Sequence, residues 1–164
     1  MGENTLQISD IRKYVLERFD CIKSKPSMNK IVQFHTANKY LLMAFDQMEL
    51  NNLGNIVANR EKLSVNIVIR NYESRLKSAL SKSPTRSRHA NVLRRMYGHL
   101  YKKIPKCNQQ VIEQRISEYQ NGNISLSETL RNLTILTSDI DSMYLAKQSY
   151  FLLFSDKRAV WKML

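Results

Sequence analysis

Cysteine is nearly missing from this 164-residue chain, which has only Cys21 and Cys107. Two thiols without a Cys-x-x-Cys spacing cannot supply the ligands that an iron–sulfur cluster or a structural zinc normally takes. Glycine and proline are scarce as well, four and three residues, so no linker-like or low-complexity tract divides the sequence. The longest apolar run is the six residues from Tyr40 to Phe45, far short of the roughly 20 that span a bilayer. The first twenty residues mix acids with bases and hold no apolar h-region, so neither a membrane partner nor a secretory signal is expected, and the expected location is cytoplasmic. Nucleophile elbow, P-loop, GxGxxG, HExxH and paired-carboxylate patterns are all missing, so the sequence predicts no catalytic residues, no metal site and no cofactor, and the chain reads as a non-enzyme.

What is abundant is positive charge. Against 14 Asp and Glu stand 26 Lys and Arg, a formal net charge of +12. Between Arg70 and Lys106 there are eleven bases and one acid, Glu73, so this stretch alone carries +10. A field concentrated in one segment says nothing about fold but argues for a polyanionic partner, nucleic acid before acidic protein or membrane surface.

The chain reads with helical period almost throughout and predicts an all-α single domain, residues 1–164, of seven to eight helices. A first helix is expected over 9–20. A long apolar helix over about 28–53 follows Pro26-Ser27 and forms the centre of the bundle, closed by Gly54 as C-cap. Helices are further expected from Ser64 to about Leu80, from Thr85 to about Lys103, and near 108–120, where Asn121-Gly122 closes the helix. The remaining ones lie near 126–138, where Ser125 and Glu128 are spaced as a capping box, and near 140–153. Residues 155–164 read as a last amphipathic turn or two. Ile67-Val68-Ile69 favours strand locally, but its flanking polar residues keep helical spacing.

Three stretches carry a resemblance: FHTANKYLLMAF (34–45), SPTRSRHANVLRRMYGHL (83–100) and YLAKQSYF (144–151). In order and spacing they resemble the signatures of the YbgA family, with NGNISL (121–126) similar to a further family segment, over roughly Asn29 to Phe151. The helix 9–20 and the segment 155–164 are then appendages. Family members occur alone and as the C-terminal part of proteins whose N-terminal part is an iron–sulfur desulfidase for thiouracil-type bases. The resemblance therefore implies a helical module that helps recognise RNA, tRNA with thiolated uridine foremost, for a desulfidase or other RNA-acting enzyme as partner. Phe45 and Arg95 stand where the family pattern has His, and Leu153, Phe154 and Ser155 replace its Pro-Tyr-Pro. Losing two imidazoles while gaining an arginine favours anion binding over chemistry.

Projected at 100° per residue, the 86–103 helix places Ala90, Leu93, Met96, Tyr97 and Leu100 on an inner face. Arg88, Asn91, Arg95, Gly98 and Lys102 fall opposite, flanked by Arg94 and His99. Such a row can meet successive phosphates, with Gly98 admitting a sugar–phosphate backbone and with Arg86 and Arg88 beside the helix N-terminus. The anion-binding set is Arg86, Arg88, Asn91, Arg94, Arg95 and Lys102. The competing reading is a solvated basic face in which Gly98 serves helix–helix packing. His35, Lys39 and Asp46 make a polar stripe on the central helix, read either as a small pocket for a splayed base or as a solvent strip with an internal Lys–Asp pair. His89 could join such a pocket or be a satisfied core histidine. Tyr97, Tyr144, Tyr150, Phe151 and Trp161 read as packing, and Tyr101 could stack on a base. Three functions compete: an RNA-binding accessory module, a protein adaptor docking through Val160, Trp161 and Leu164, and an enzyme acting on a nucleotide held by His35, Lys39 and Asp46.

Overall fold

The structure, a computed structural model, describes residues 7–137 and 148–154. Among these the chain is helical, with eight α-helices and one 3-10 turn and no strand, as the periodicity predicts. Its helices group into two compact units that meet in sequence between Pro84 and Thr85.

The N-terminal unit opens with α1 (Ile8–Ser24), whose Ile11, Val15, Phe19 and Ile22 are buried at helical spacing. The Asp10 carboxylate accepts from the Gln7 N–H at 3.1 Å and satisfies a donor that the first turn leaves unpaired. Pro26 cannot donate to a continuing ladder, and Ser27 starts α2 (Met28–Phe45) by accepting from the Lys30 N–H at 3.2 Å. Phe19, Phe34 and Tyr72 meet in the core, with ring centroids 5.3 to 6.1 Å apart. Such pairs add to what burying the rings already contributes.

The expected long helix over 28–53 is in fact two. Asp46 leaves helical geometry at φ −160° and ψ 111°, and its Oδ1 accepts from the N–H groups of Met48 and Glu49 at 2.9 and 3.3 Å. It thus caps α3 (Gln47–Ala58) while its own N–H closes the last turn of α2 on the Leu42 carbonyl. Gly54 lies inside α3 and is not the cap. That helix ends at Asn59, which is left-handed at φ 42° and clasps both the N–H and the carbonyl of Leu63 through its side chain. In α4 (Val65–Ser81), Val68, Ile69, Tyr72, Leu76, Ala79 and Leu80 are buried against α3 and α2, so packing overrides the strand preference of 67–69.

The C-terminal unit runs α5 (Arg86–Gly98), a 3-10 turn (Tyr101–Lys103), α6 (Lys106–Gln120), α7 (Leu126–Leu136) and α8 (Ser149–Phe154). Thr85 caps α5 by accepting from the Arg88 N–H at 3.2 Å. Ser125 does the same for α7 through the Glu128 N–H at 3.1 Å. The turn at Asn121-Gly122 needs glycine: Gly122 sits at φ +86°, where a side chain is strained. Helix α6 packs on α5 and on α7, and α7 on α8. Where a helix is expected near 140–153 the structure describes only residues 148–154, and there Gln148 is not helical and α8 begins at Ser149, while the segment 155–164 lies outside the described residues, as do Tyr144 and Trp161.

Candidate nucleic-acid interface

The apolar pattern of α5 fixes which way its bases point. Ala90, Leu93, Met96 and Tyr97 are buried as projected, together with His89 and Val92. Asn91, Arg95 and Gly98 are therefore turned outward and exposed. The α-helix ends at Gly98, before the expected Lys103, and the 3-10 turn carries Lys102 and Lys103 onward, both exposed. Lys106 opens α6 and is exposed too. An ideal Cβ on Gly98 meets nothing within 4 Å, so among the described residues this glycine is not a helix–helix packing point but an open surface.

Two of the projected row are engaged elsewhere. Arg94 Nε donates to Glu113 Oε1 at 2.8 Å and its Nη1 to Gln120 Oε1 at 3.0 Å, tying α5 to α6. Arg86 Nη1 donates to the Tyr119 carbonyl at 2.8 Å, with the guanidinium carbon 5.2 Å from the Tyr119 ring centroid. Each is a clamp across the α5–α6 pair, where a planar guanidinium with five donors suits a fixed acceptor. Arg88 is half-buried beside the capped N-terminus. Upstream, the bases at 75, 77 and 82 are matched by carboxylates: Arg75 with Glu49 at 3.3 Å, Lys77 with Glu73 at 2.9 Å, and Lys82 with Asp46. Of the bases from Thr85 to Lys106, Arg95, Lys102, Lys103 and Lys106 are exposed and take no part in these contacts.

The polar-stripe residues divide among different partners. His35 is half-buried, with Nδ1 3.1 Å from the Tyr72 hydroxyl, and burial first, then the charge of Lys39, holds its pKa below the usual value. Lys39 Nζ lies 5.9 Å from the Tyr40 ring centroid. Asp46 is buried at 4% exposure. Burial pushes its carboxyl up, and the Lys82 ammonium together with the Glu49 and Met48 N–H groups outweighs this and leaves it below the ordinary carboxylate range. Asp46 is thus both a helix cap and the anchor of Lys82, roles that its place in an apolar helix did not announce.

His89, in the C-terminal unit, is a satisfied core histidine. It is 7% exposed, its Nδ1 is 2.9 Å from the Tyr150 hydroxyl, and the Phe154 ring lies edge-on at 4.9 Å. Burial brings its pKa down to about 4, so the ring is neutral at neutral pH. Tyr97 and Tyr150 are buried as expected, and Tyr101 is half-buried. Both cysteines are exposed thiols, and no group of three His, Cys, Asp or Glu side chains among the described residues is placed to hold a metal ion. Among those residues, no helix is long and apolar enough to cross a membrane.

No curated protein and no solved structure matches the chain. Residues 39–155 match the family described as "Protein of unknown function (DUF1722)", from Lys39 in α2 through the basic stretch to the end of α8. With well over half of its length inside that match, the chain belongs to this family of unknown function.

Proposed function

We propose that the chain is an RNA-binding accessory module, and that its contact surface is the outward side of α5 with the turn after it. The observation that carries this reading is the continuous exposure of Asn91, Arg95, Gly98, Lys102, Lys103 and Lys106, with open space over the glycine. Cations in a row neutralise successive phosphates, and bare backbone at their centre lets a sugar–phosphate chain come close. Arg86 and Arg94 hold the α5–α6 pair in shape beneath that surface. Resemblance to the YbgA signatures favours tRNA as the RNA and a thiouridine desulfidase or another RNA-modifying enzyme as the partner. Capture is electrostatic, and the modifying chemistry belongs to the partner.

The test is binding of the full chain to bulk tRNA, duplex DNA and single-stranded DNA across a salt series. The expected result is tighter binding of tRNA than of either DNA, with the preference persisting at high salt and lost when Arg95 and Lys102 are both changed to Glu. Equal, weak binding of all three that vanishes with salt rejects the reading and turns the search to a protein partner.

A further inference from the structure

Where α3 gives way to α4, the N-terminal unit holds a cavity of about 460 Å³, a volume within the range of small-molecule sites. Its floor is aliphatic: Val68 is buried, Ile56 is half-buried and Leu63 stands at the rim, 36% exposed. Among the described residues no aromatic ring lines it, so it offers no stacking face to a flat heterocycle. The loop along one side is held by its own hydrogen bonds. Asn59 and Lys62 are both left-handed, at φ 42° and 53°, and the Lys62 N–H donates to the Asn59 carbonyl at 2.9 Å. Arg60 and Glu61 are the two central residues of that turn, and the clasp of Asn59 on Leu63 fixes it to the rim.

Four polar side chains line the cavity and make no hydrogen bond or ion pair among the described residues: Asn55 from the last turn of α3, Arg60, Glu61, and Asn71 from the second turn of α4. The Asn59 amide, already given to Leu63, is not among them. The two charges are opposite and sit on neighbouring residues of one turn. A ligand with a single charge would bring it beside the one of its own sign, so Glu61 opposes a simple anion and Arg60 a simple cation. A zwitterion whose ammonium and carboxylate share one carbon answers both, and each carboxamide adds a donor and an acceptor.

We infer that this cavity binds a free amino acid with an aliphatic side chain, its carboxylate held by Arg60, its ammonium by Glu61 and its side chain resting on Ile56, Leu63 and Val68. The guanidinium fork suits a carboxylate, and Asn55 and Asn71 complete the polar contacts from the two helices. A peptide end carries only one of the two charges at one carbon, so the free amino acid is the form that fits.

Isothermal titration of the full chain tests this with L-leucine, L-leucinamide, N-acetyl-L-leucine and glycine, each taken to about 10 mM so that a Kd near 1 mM is read. The expected result is saturable binding of leucine. The amide and the acetyl derivative should each bind more weakly by about tenfold or more, the loss that follows when one charge-assisted contact goes. Glycine keeps both charges but has no side chain to bury, and it too should bind more weakly. Arg60→Gln should abolish the preference for leucine over leucinamide and leave the preference over N-acetyl-leucine, and Glu61→Gln should do the reverse. Both positions are exposed in a loop, and the melting temperature of each variant verifies its fold. The inference is overturned if leucine gives no saturable heat or if leucinamide, N-acetyl-leucine or glycine binds as tightly. It is equally overturned if leucine affinity survives in the Arg60→Gln, Glu61→Gln double variant. None of these outcomes depends on RNA binding at α5.

Discussion

A buried imidazole makes one residue report on the whole C-terminal unit. His89 has a folded pKa of about 4 against an ordinary value of 6.5, because burial disfavours its charged form. The unfolded chain therefore binds the proton first as pH falls, and the folded state loses stability between about 6.5 and 4 while keeping it in full above 6.5. The shift corresponds to about 3 kcal/mol across that window. We expect urea midpoints to drop steeply from pH 7 to pH 4.5, and His89→Gln, which keeps a hydrogen-bonding group near the Tyr150 hydroxyl, to flatten the drop. His35 is shifted in the same direction and accounts for a remaining slope. An unaltered pH dependence in the variant would show that the ring is solvated. The sequence left His89 between core and ligand, because its partner Tyr150 is 61 residues away. Arg86 and Arg94 were opaque for the same reason: projection places them beside the basic row, but their acceptors sit on α6.

Among the helices, Asp46 decides the most. Helical spacing and apolar content run through 28–53 without interruption, so the sequence reads one helix, and the carboxylate that divides it reads as part of a polar stripe with His35 and Lys39, either a pocket or a solvent strip. Two roles coincide there, capping α3 and pairing with Lys82. Asp46→Asn keeps an oxygen for the Met48 and Glu49 N–H groups but loses the charge, whereas Asp46→Ala loses both. Loss of a cap costs about 1–2 kcal/mol, and loss of the ion pair adds less, about 1 kcal/mol or under, because the half-exposed Lys82 ammonium is left in water. Equilibrium urea unfolding should rank wild type above the Asn variant and the Asn variant above Ala, with unchanged m-values. An Ala variant as stable as wild type would mean that α2 and α3 can fuse. The starts at Ser27, Thr85 and Ser125 and the end at Asn121-Gly122 were legible because their signals are local and act within four residues of where they stand, whereas α5 stops at Gly98 short of the Pro105 signal. Asn59 was missed as a terminator because Gly54, five residues earlier, is the stronger signal in sequence alone.

For the molecule as a whole, net charge and usable charge differ. Eleven bases crowd residues 70–106, yet carboxylates answer Arg75, Lys77, Lys82 and Arg94, and Arg86 is spent on α6. An interface made by Arg95, Lys102, Lys103 and Lys106 should give a log–log salt slope of about −3 to −4 on RNA, from roughly 0.7–0.9 per phosphate contact. Contact by all eleven bases would give about −8 to −10 on the same scale. Isothermal titration between about 50 and 300 mM salt distinguishes the two, and the steeper value would mean that the ion pairs open on binding. The all-α class and the basic character were plain in the sequence, while the split of contacts at Pro84 and Thr85 was not, since a short polar break looks the same inside a unit as between two.

Open space above Gly98 turns that position into a ruler. Because an ideal Cβ there meets no atom of the described residues within 4 Å, a side chain can start from that position without a clash at its root. A series of increasing bulk then measures, in side-chain lengths, how near a bound strand comes to the helix axis. Affinity that falls at the first methyl means direct backbone contact, and affinity indifferent even to Trp means that the strand passes at a distance, held by the lysine and arginine tips alone.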